Sequence, residues 1–304
     1  MTLSPSTLHR YALTLVFATI ILLIAGALVT STGSGLSVPD WPLSFGTLFP
    51  KMEGGVFFEH GHRLIAGMVC LLYLGFMGVC FRSSHATPIV KTLAVTGLVM
   101  ITLQALLGGL TVLFLLPWYL SVAHACLAQL FFSVTVLLAY QTSPSKRLLP
   151  HTQASCVLRQ TSYVLTAILF AQLVMGATMR HWGAGLAIAD FPLSFGKIIP
   201  PFFNRYIGIH YAHRIGGLVL LLIGMTFCSR LFLSSIGSLF KKQLSLLISS
   251  LLLLQLMLGP LIVLLARPIW LTVLHLVVGA LLFATSIWTA AVLTDERLTL
   301  YHPS

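Results

Sequence analysis

A chain of 304 residues with 8% charged and 58% hydrophobic residues and a mean hydropathy of +0.99 is not an ordinary soluble domain, where charged residues make up about a quarter of the sequence. Its net charge of +11 does not point to nucleic acid, because the lysines and arginines stand singly or in pairs between apolar runs, as membrane-topology signals do. The five cysteines, Cys70, Cys80, Cys126, Cys156 and Cys228, form no C-x-x-C, which argues against a disulfide framework or a zinc site.

Apolar runs of about 20 residues are candidate transmembrane helices. In chain order they cover roughly 11–30, 62–81, 92–116, 119–140, 160–179, 213–233, 244–266 and 270–293. The first is longer than the apolar region of a secretory signal, and its counterpart recurs inside the chain, so it reads as a retained helix. No arginine- and serine-rich transit segment precedes it, which favours a bacterial plasma membrane. With the N-terminus inside, the inner ends and loops hold Arg10, Arg82, Lys91, Lys146, Arg147, Arg159, Arg230, Lys241, Lys242 and Arg297. The outer side holds Lys51, Arg63, Arg180, Lys197, Arg205, Arg214 and Arg267. Ten against seven of the 17 basic residues places both termini in the cytoplasm.

The chain is an internal repeat. Thr32-Gly33-Ser34-Gly35-Leu36 answers to Trp182-Gly183-Ala184-Gly185-Leu186, and Asp40-Trp41-Pro42-Leu43-Ser44-Phe45-Gly46 to Asp190-Phe191-Pro192-Leu193-Ser194-Phe195-Gly196. Gln104 and Gly108 answer to Gln255 and Gly259. Four spans per repeat is an even number, so both halves enter the membrane the same way round. The expected fold is therefore an all-α integral membrane protein, with eight transmembrane helices as two tandem parallel four-helix bundles. A pseudo-two-fold axis along the membrane normal would relate them. The expected domains are 1–140 and 159–304, joined by a cytoplasmic linker over 141–158 that carries Pro144 and Pro150. Two long outer loops, about 31–61 and 180–212, have the Gly, Pro and aromatic content of an ordered cap.

The repeat also carries the chemistry. Glu59-His60-Gly61-His62-Arg63 opens the second span, and His210-Tyr211-Ala212-His213-Arg214 opens the sixth. His124 and His275 lie in the last span of each half, and 124 − 62 and 275 − 213 both equal 62. Two facing histidines in a four-helix bundle suit bis-histidine haem ligation. Gly61, Ala66 and Gly67 in one half, and Gly216 and Gly217 in the other, would leave room for a flat ring. Zinc fits less well, since neither a cysteine nor a carboxylate pattern completes a tetrahedral site.

The halves differ at Glu59, which is replaced by His210. A carboxylate at the edge of a dry site moves protons or stabilises charge; the plainer alternative is a loop-end carboxylate in water, paired with Arg63. Arg63 and Arg214 either pair with haem propionates or snorkel to the outer headgroups. Gln104 and Gln255 read as bonds between helices. His60, His85, His151, His181 and His302 lack a matched pair and read as loop or interface residues.

Glu59-x-x-His62-Arg63, the Thr32–Leu36 and Asp40-Trp41-Pro42 loop, and the duplicated halves with His124 and His275 resemble the heme A synthase family over residues 11 to 293. The resemblance implies oxidation of a ring methyl of haem O to the formyl group of haem A, for cytochrome oxidase assembly. It implies a haem b cofactor on His213 and His275 in the second half, beside Arg214. The substrate haem would lie on His62 and His124 in the first half, beside Arg63, with Glu59 as the catalytic carboxylate. Successive hydroxylations, loss of water from a gem-diol and electrons delivered through haem b would complete the chemistry. Many bacterial members carry a cysteine pair in the first outer loop where this chain has Val38 and Ser44.

Two other functions compete: a non-catalytic di-haem cytochrome, which leaves the Glu59/His210 difference without a purpose, and a haem carrier or transporter. Membrane lipid and haem O are the expected partners. Delivery of haem O from the bilayer or from a bound haem O synthase, self-association as a homo-oligomer, and the identity of the electron donor all stay open.

Overall fold

The computed structural model of the chain describes residues 5–144, 146, 155–234 and 238–298. Eight helices stand where eight spans are expected: α1 Pro5–Ser31, α2 Gly55–Arg82, α3 Pro88–Leu113, α4 Trp118–Thr142, α5 Cys156–His181, α6 Arg205–Leu233, α7 Leu239–Leu264 and α8 Ile269–Leu298. All eight are long and apolar enough to cross a membrane. The shortest and longest have 25 and 30 residues, about 38–45 Å at 1.5 Å per residue. That covers a hydrocarbon core of about 30 Å with a turn to spare at each face. This is a multi-pass, all-helical membrane protein.

Every helix starts ahead of its apolar stretch, because its first turn uses polar and aromatic residues of the interface, while α3 and α7 end short of theirs at Leu113 and Leu264. The difference is largest at α2 and α6, which start seven and eight residues ahead of the expected 62 and 213 (62 − 55 and 213 − 205). Asn204 caps α6 by accepting from the Tyr206 and Ile207 N–H groups at 2.9 Å, satisfying donors that a helix start leaves open. Gly54 turns the chain into α2 at φ +54°, a left-handed conformation natural to glycine.

The chain divides into two compact units, Met1–Arg147 and Leu148–Ser304. Half of the expected 141–158 linker, 145 and 147–154 with His151, lies outside the described residues, as does His302. In the first unit α1 packs on α2, α2 on α3, α3 on α4 and α4 back on α1. In the second, α5 to α8 close the same ring. Consecutive helices are neighbours, so α2 and α4 stand on one diagonal of their bundle, and α6 and α8 on one diagonal of theirs.

Side chains sort by what they face rather than by polarity. On α2, Val69, Tyr73, Phe76 and Cys80 are at most 1% exposed, at helical spacings of four, three and four. Tyr73 donates its hydroxyl to the Ala94 carbonyl on α3 at 3.0 Å, which removes a polar cost from a dry interface. Met68 and Leu71 on the other side are 60% and 70% exposed, as lipid-facing residues should be. Each bundle reverses tightly between its last two helices. Leu115 and Leu116 both sit at φ +58°, and Ala266 and Arg267 at +53° and +65°. Left-handed backbone at four non-glycine residues is strained, and its recurrence at one place in both units shows the repeat extends to backbone detail.

Candidate functional site

His62 and His124 lie seven and six residues into α2 and α4 (62 − 55, 124 − 118), and His213 and His275 eight and six into α6 and α8 (213 − 205, 275 − 269). At about 1.5 Å per residue each imidazole is roughly 9–12 Å below its helix start. Within each unit the two histidine-bearing helices are diagonal, run the same way, and start at the same end. All four rings are partly exposed rather than sealed.

What backs each ring is a glycine on the preceding helix. A Cβ added at Gly26 of α1 would stand 3.1 Å from His62 Cε1, and one at Gly108 of α3 would stand 3.1 Å from His124 Cε1. In the second unit the corresponding pairs are Gly176 with His213 at 3.0 Å and Gly259 with His275 at 3.9 Å. The same ring atom is nearest in all four cases, so the imidazoles share one pose. The sequence-expected small residues play a different part. Gly61 and Gly67 would meet nothing within 4 Å, whereas Gly216 and Gly217 face the side chain of Gln172. Gly26 and Gly176 went unnoticed because they sit in unbroken apolar runs, although an offset of 150 pairs them (176 − 26).

Bis-histidine haem ligation fits these residues. Each unit offers two imidazoles at one depth on diagonal helices, against backbones kept thin by glycine. His62, His124 and His275 each have a buried Nδ1 without a hydrogen-bond partner. Buried polar groups are normally satisfied, and these three rings keep hydrogen-bonding capacity that no protein group takes up.

Glu59 and Arg63 do something the sequence only half suggests. Because α2 starts at Gly55, Glu59 is inside the helix, and it shares a face with Arg63 four residues on. It is 3% exposed, so it is not a carboxylate in water. Its Oε1 accepts from Arg63 Nη2 at 2.7 Å and its Oε2 from the Val38 N–H at 2.9 Å. Arg63 also donates to the carbonyls of Asp40 at 2.7 Å, Leu43 at 2.8 Å and Val38 at 3.3 Å. The guanidinium thereby clamps the outer loop onto α2. The loop is itself ordered. Asp40 accepts from Phe45 N–H at 2.7 Å and Gly46 N–H at 2.8 Å, which holds its carboxyl below the usual 3.8, with Gly46 contributing most.

The second loop has the same plan with one weaker part. Asp190 accepts from Phe195 and Gly196 at 2.8 Å each, and Arg214 donates to Ile188 and Leu193 carbonyls at 2.8 and 3.1 Å. In place of the carboxylate, His210 meets the Ile188 N–H at 3.3 Å and Arg214 Nε at 3.1 Å, one on each ring nitrogen. A neutral imidazole accepts on one nitrogen only, so the shorter contact is the hydrogen bond and the other donor is left short. A carboxylate serves both donors and cancels the charge; histidine does neither.

Two further residues of the first outer loop are buried parts of this clamp. Val38 and Ser44 are both 0% exposed; Val38 bonds Glu59, and Ser44 Oγ lies 2.7 Å from His60 Nδ1. His60, expected at a loop or interface, is 5% exposed and ties the loop to the helix. The two interhelical glutamines divide. Gln104 donates to the His124 carbonyl at 2.9 Å, whereas Gln255 Nε2 lies 3.1 Å from His275 Nε2.

Comparison with known proteins gives one answer. The COX15-CtaA family, described as cytochrome oxidase assembly protein, matches residues 9–287. The chain is 32% identical over 212 residues to the heme A synthase of Shouchella clausii, covering 67% of this chain and 69% of that one. It is 31% identical over 211 residues to the heme A synthase of Bacillus pumilus, covering 67% and 68%. Against the heme A synthase of Halalkalibacterium halodurans it is 28% identical over 286 residues, 91% of this chain and 94% of the relative. The match runs through both histidine pairs and both loops, and the chain is a member of the cytochrome oxidase assembly protein family.

Proposed function

We propose that the chain is a heme A synthase: a membrane oxidoreductase that takes a methyl group of haem O to the formyl group of haem A. The observation that carries this is the duplicated histidine seat, in a chain similar over 91% of its length to a protein of that name. Each of two hydroxylations at the methyl carbon would take one oxygen atom of dioxygen with two electrons and two protons and release the other as water; together they give a gem-diol, and loss of water gives the formyl group.

The two units divide the work. The first holds haem O between His62 and His124, and the second holds haem b between His213 and His275. Haem b, when bound, supplies one-electron transfer. Two features support placing it in the second unit. Arg180 stands in the last turn of α5, and Arg267 in the turn between α7 and α8. The first unit has Thr30 and Leu116 at those repeat positions (180 − 150, 267 − 151). Extra cations suit a resident group that carries carboxylates.

Glu59 is the one acidic side chain among the buried described residues. It is the catalytic carboxylate of this reading, held by Arg63 and Val38 one helical turn from His62. Those same contacts keep the outer loop closed over α2, which limits water at the reacting end. The excess of basic residues on the inner ends supports a bacterial plasma membrane with both termini cytoplasmic.

Haem extraction tests the proposal. Membranes containing this chain and a haem O synthase should yield a new formyl haem. Glu59→Ala should abolish it and keep bound haem b. Unchanged haem O beside intact haem b in the native chain would overturn the proposal in favour of an electron-transfer cytochrome. Normal conversion by Glu59→Ala would remove Glu59 from the mechanism.

A further inference from the structure

His62 and His213 sit alike but are not held alike. Gln172 of α5 donates its amide nitrogen to the His213 carbonyl at 2.7 Å, and the same nitrogen lies 3.1 Å from His213 Nδ1. The offset that pairs Gly176 with Gly26 pairs Gln172 with Leu22 (172 − 150). Nothing replaces the amide in the first unit, where His62 Nδ1 is buried without a partner.

The neighbouring volume is exchanged as well. A Cβ on Gly216 would fall inside the envelope of Gln172 Oε1, so the amide needs glycine there. The repeat position in the first unit is Ile65 (216 − 151). One half combines a long amide with glycine, and the other combines leucine with isoleucine. Close-packed interiors feel a single methylene, and a swap compensated this way is a built difference rather than drift.

A histidine that gives Nε2 to iron carries its proton on Nδ1, and the partner of that proton sets ring orientation and ligand strength. Gln172 Oε1 is buried and without a donor, on the same amide as the nitrogen already at the ring. With Nδ1 unprotonated, the amide nitrogen is the donor at the ring; once Nδ1 carries the proton, the amide must turn its Oε1 to it and give up the bond to the His213 carbonyl. Leu22 offers no acceptor.

We propose that Gln172 is a positioning residue that fixes His213 for permanent haem ligation, and that Leu22 leaves the first unit as the seat from which haem is exchanged. This rests on the reading above that the second unit keeps haem b. It matches the chemistry asked of each seat: substrate and product pass through the first unit at every turnover, while the cofactor stays in the second.

The test uses the purified full-length chain carrying haem b in lipid nanodiscs. Three forms are compared: native, Gln172→Leu, and the double variant Gln172→Leu/Gly216→Ile, which copies the packing of the first unit. Haem loss to excess apomyoglobin and the midpoint potential are measured. Loss of such a partner typically weakens metal holding by about 10–100-fold, so haem should leave correspondingly more readily while the bis-histidine spectrum persists. The potential should rise, because a histidine without an acceptor at Nδ1 donates less to ferric iron. A tenfold preferential loss of ferric affinity corresponds to about 59 mV for one electron.

Native potential and native haem loss in both variants would overturn the proposal. If Gln172→Leu alone fails to fold, the double variant decides, together with the reverse exchange Leu22→Gln/Ile65→Gly, which should slow haem loss from the first unit. His213→Ala separates the two levels. Survival of the haem b spectrum in that variant would refute the assignment of the second unit itself, whatever Gln172 does.

Discussion

Four glycines back four histidines, but not equally tightly, and a single methyl group tests what they do. In Gly176→Ala the new Cβ would be 3.0 Å from His213 Cε1, where carbon atoms in contact prefer about 3.5–4.0 Å. The ring must therefore retreat by about 0.5 Å or more. In Gly259→Ala the same distance to His275 is 3.9 Å, an ordinary contact that requires no movement. Gly176→Ala gains about 1 kcal/mol of helix preference; at Gly259, which Pro260 follows, crowding of a Cβ against the proline ring offsets that gain, so neither change should unfold the bundle. Ligand placement, however, tolerates only about 0.5 Å. Gly176→Ala should lose bound haem b roughly tenfold more readily than the native chain, and Gly259→Ala should be near native. Haem content and the bis-histidine absorbance after purification measure this. Equal loss in the two variants, or greater loss in Gly259→Ala, would refute the claim that the glycines set ring position.

Other consequences follow from the outer loops. Arg63→Lys keeps a charge for Glu59 but loses the fork that gathers three loop carbonyls; we expect about 1–3 kcal/mol less stability for the closed loop. Limited proteolysis should then cut within 32–54 faster than in the native chain, with α2 intact; unchanged cleavage would count against the clamp. Acid should open the loops late. The Asp40 carboxyl is held below 3.8 by the Gly46 and Phe45 N–H groups, so its contribution is in place above that value and is lost only as pH falls through the lower folded one. Hydrogen exchange should show Phe45 and Gly46 still protected near pH 4 and released below it, with Asp40→Ala unprotected throughout. The second loop should behave likewise through Asp190, Gly196 and Phe195.

The helices and the four histidines were legible because membrane spans announce themselves by unbroken hydropathy, and because a duplicated spacing stands out against hydrocarbon. Helix starts were less legible. Polar interfacial residues at 55–61 and 205–212 read as loop by hydropathy, and only Gly54 and Asn204 marked the true ends. The error had a chemical consequence. With α2 beginning at Gly55, Glu59 turns onto the face of Arg63 and under the loop, and both arginines are drawn to loop carbonyls. Contacts between histidine and glycine, and between Gln172 and His213, join residues 16 to 41 positions apart inside apolar stretches (124 − 108, 213 − 172). Such pairs carry no local signal and emerge only when the repeat is aligned helix by helix.

The central claim is the division of labour between two like seats, and the direct measurement is a paired histidine substitution read by haem spectrum and haem extraction on the same samples. His213→Ala should lose the resident haem b spectrum. His62→Ala should keep it while failing to produce formyl haem. The reverse pattern, with resident haem lost in His62→Ala and retained in His213→Ala, would contradict the account.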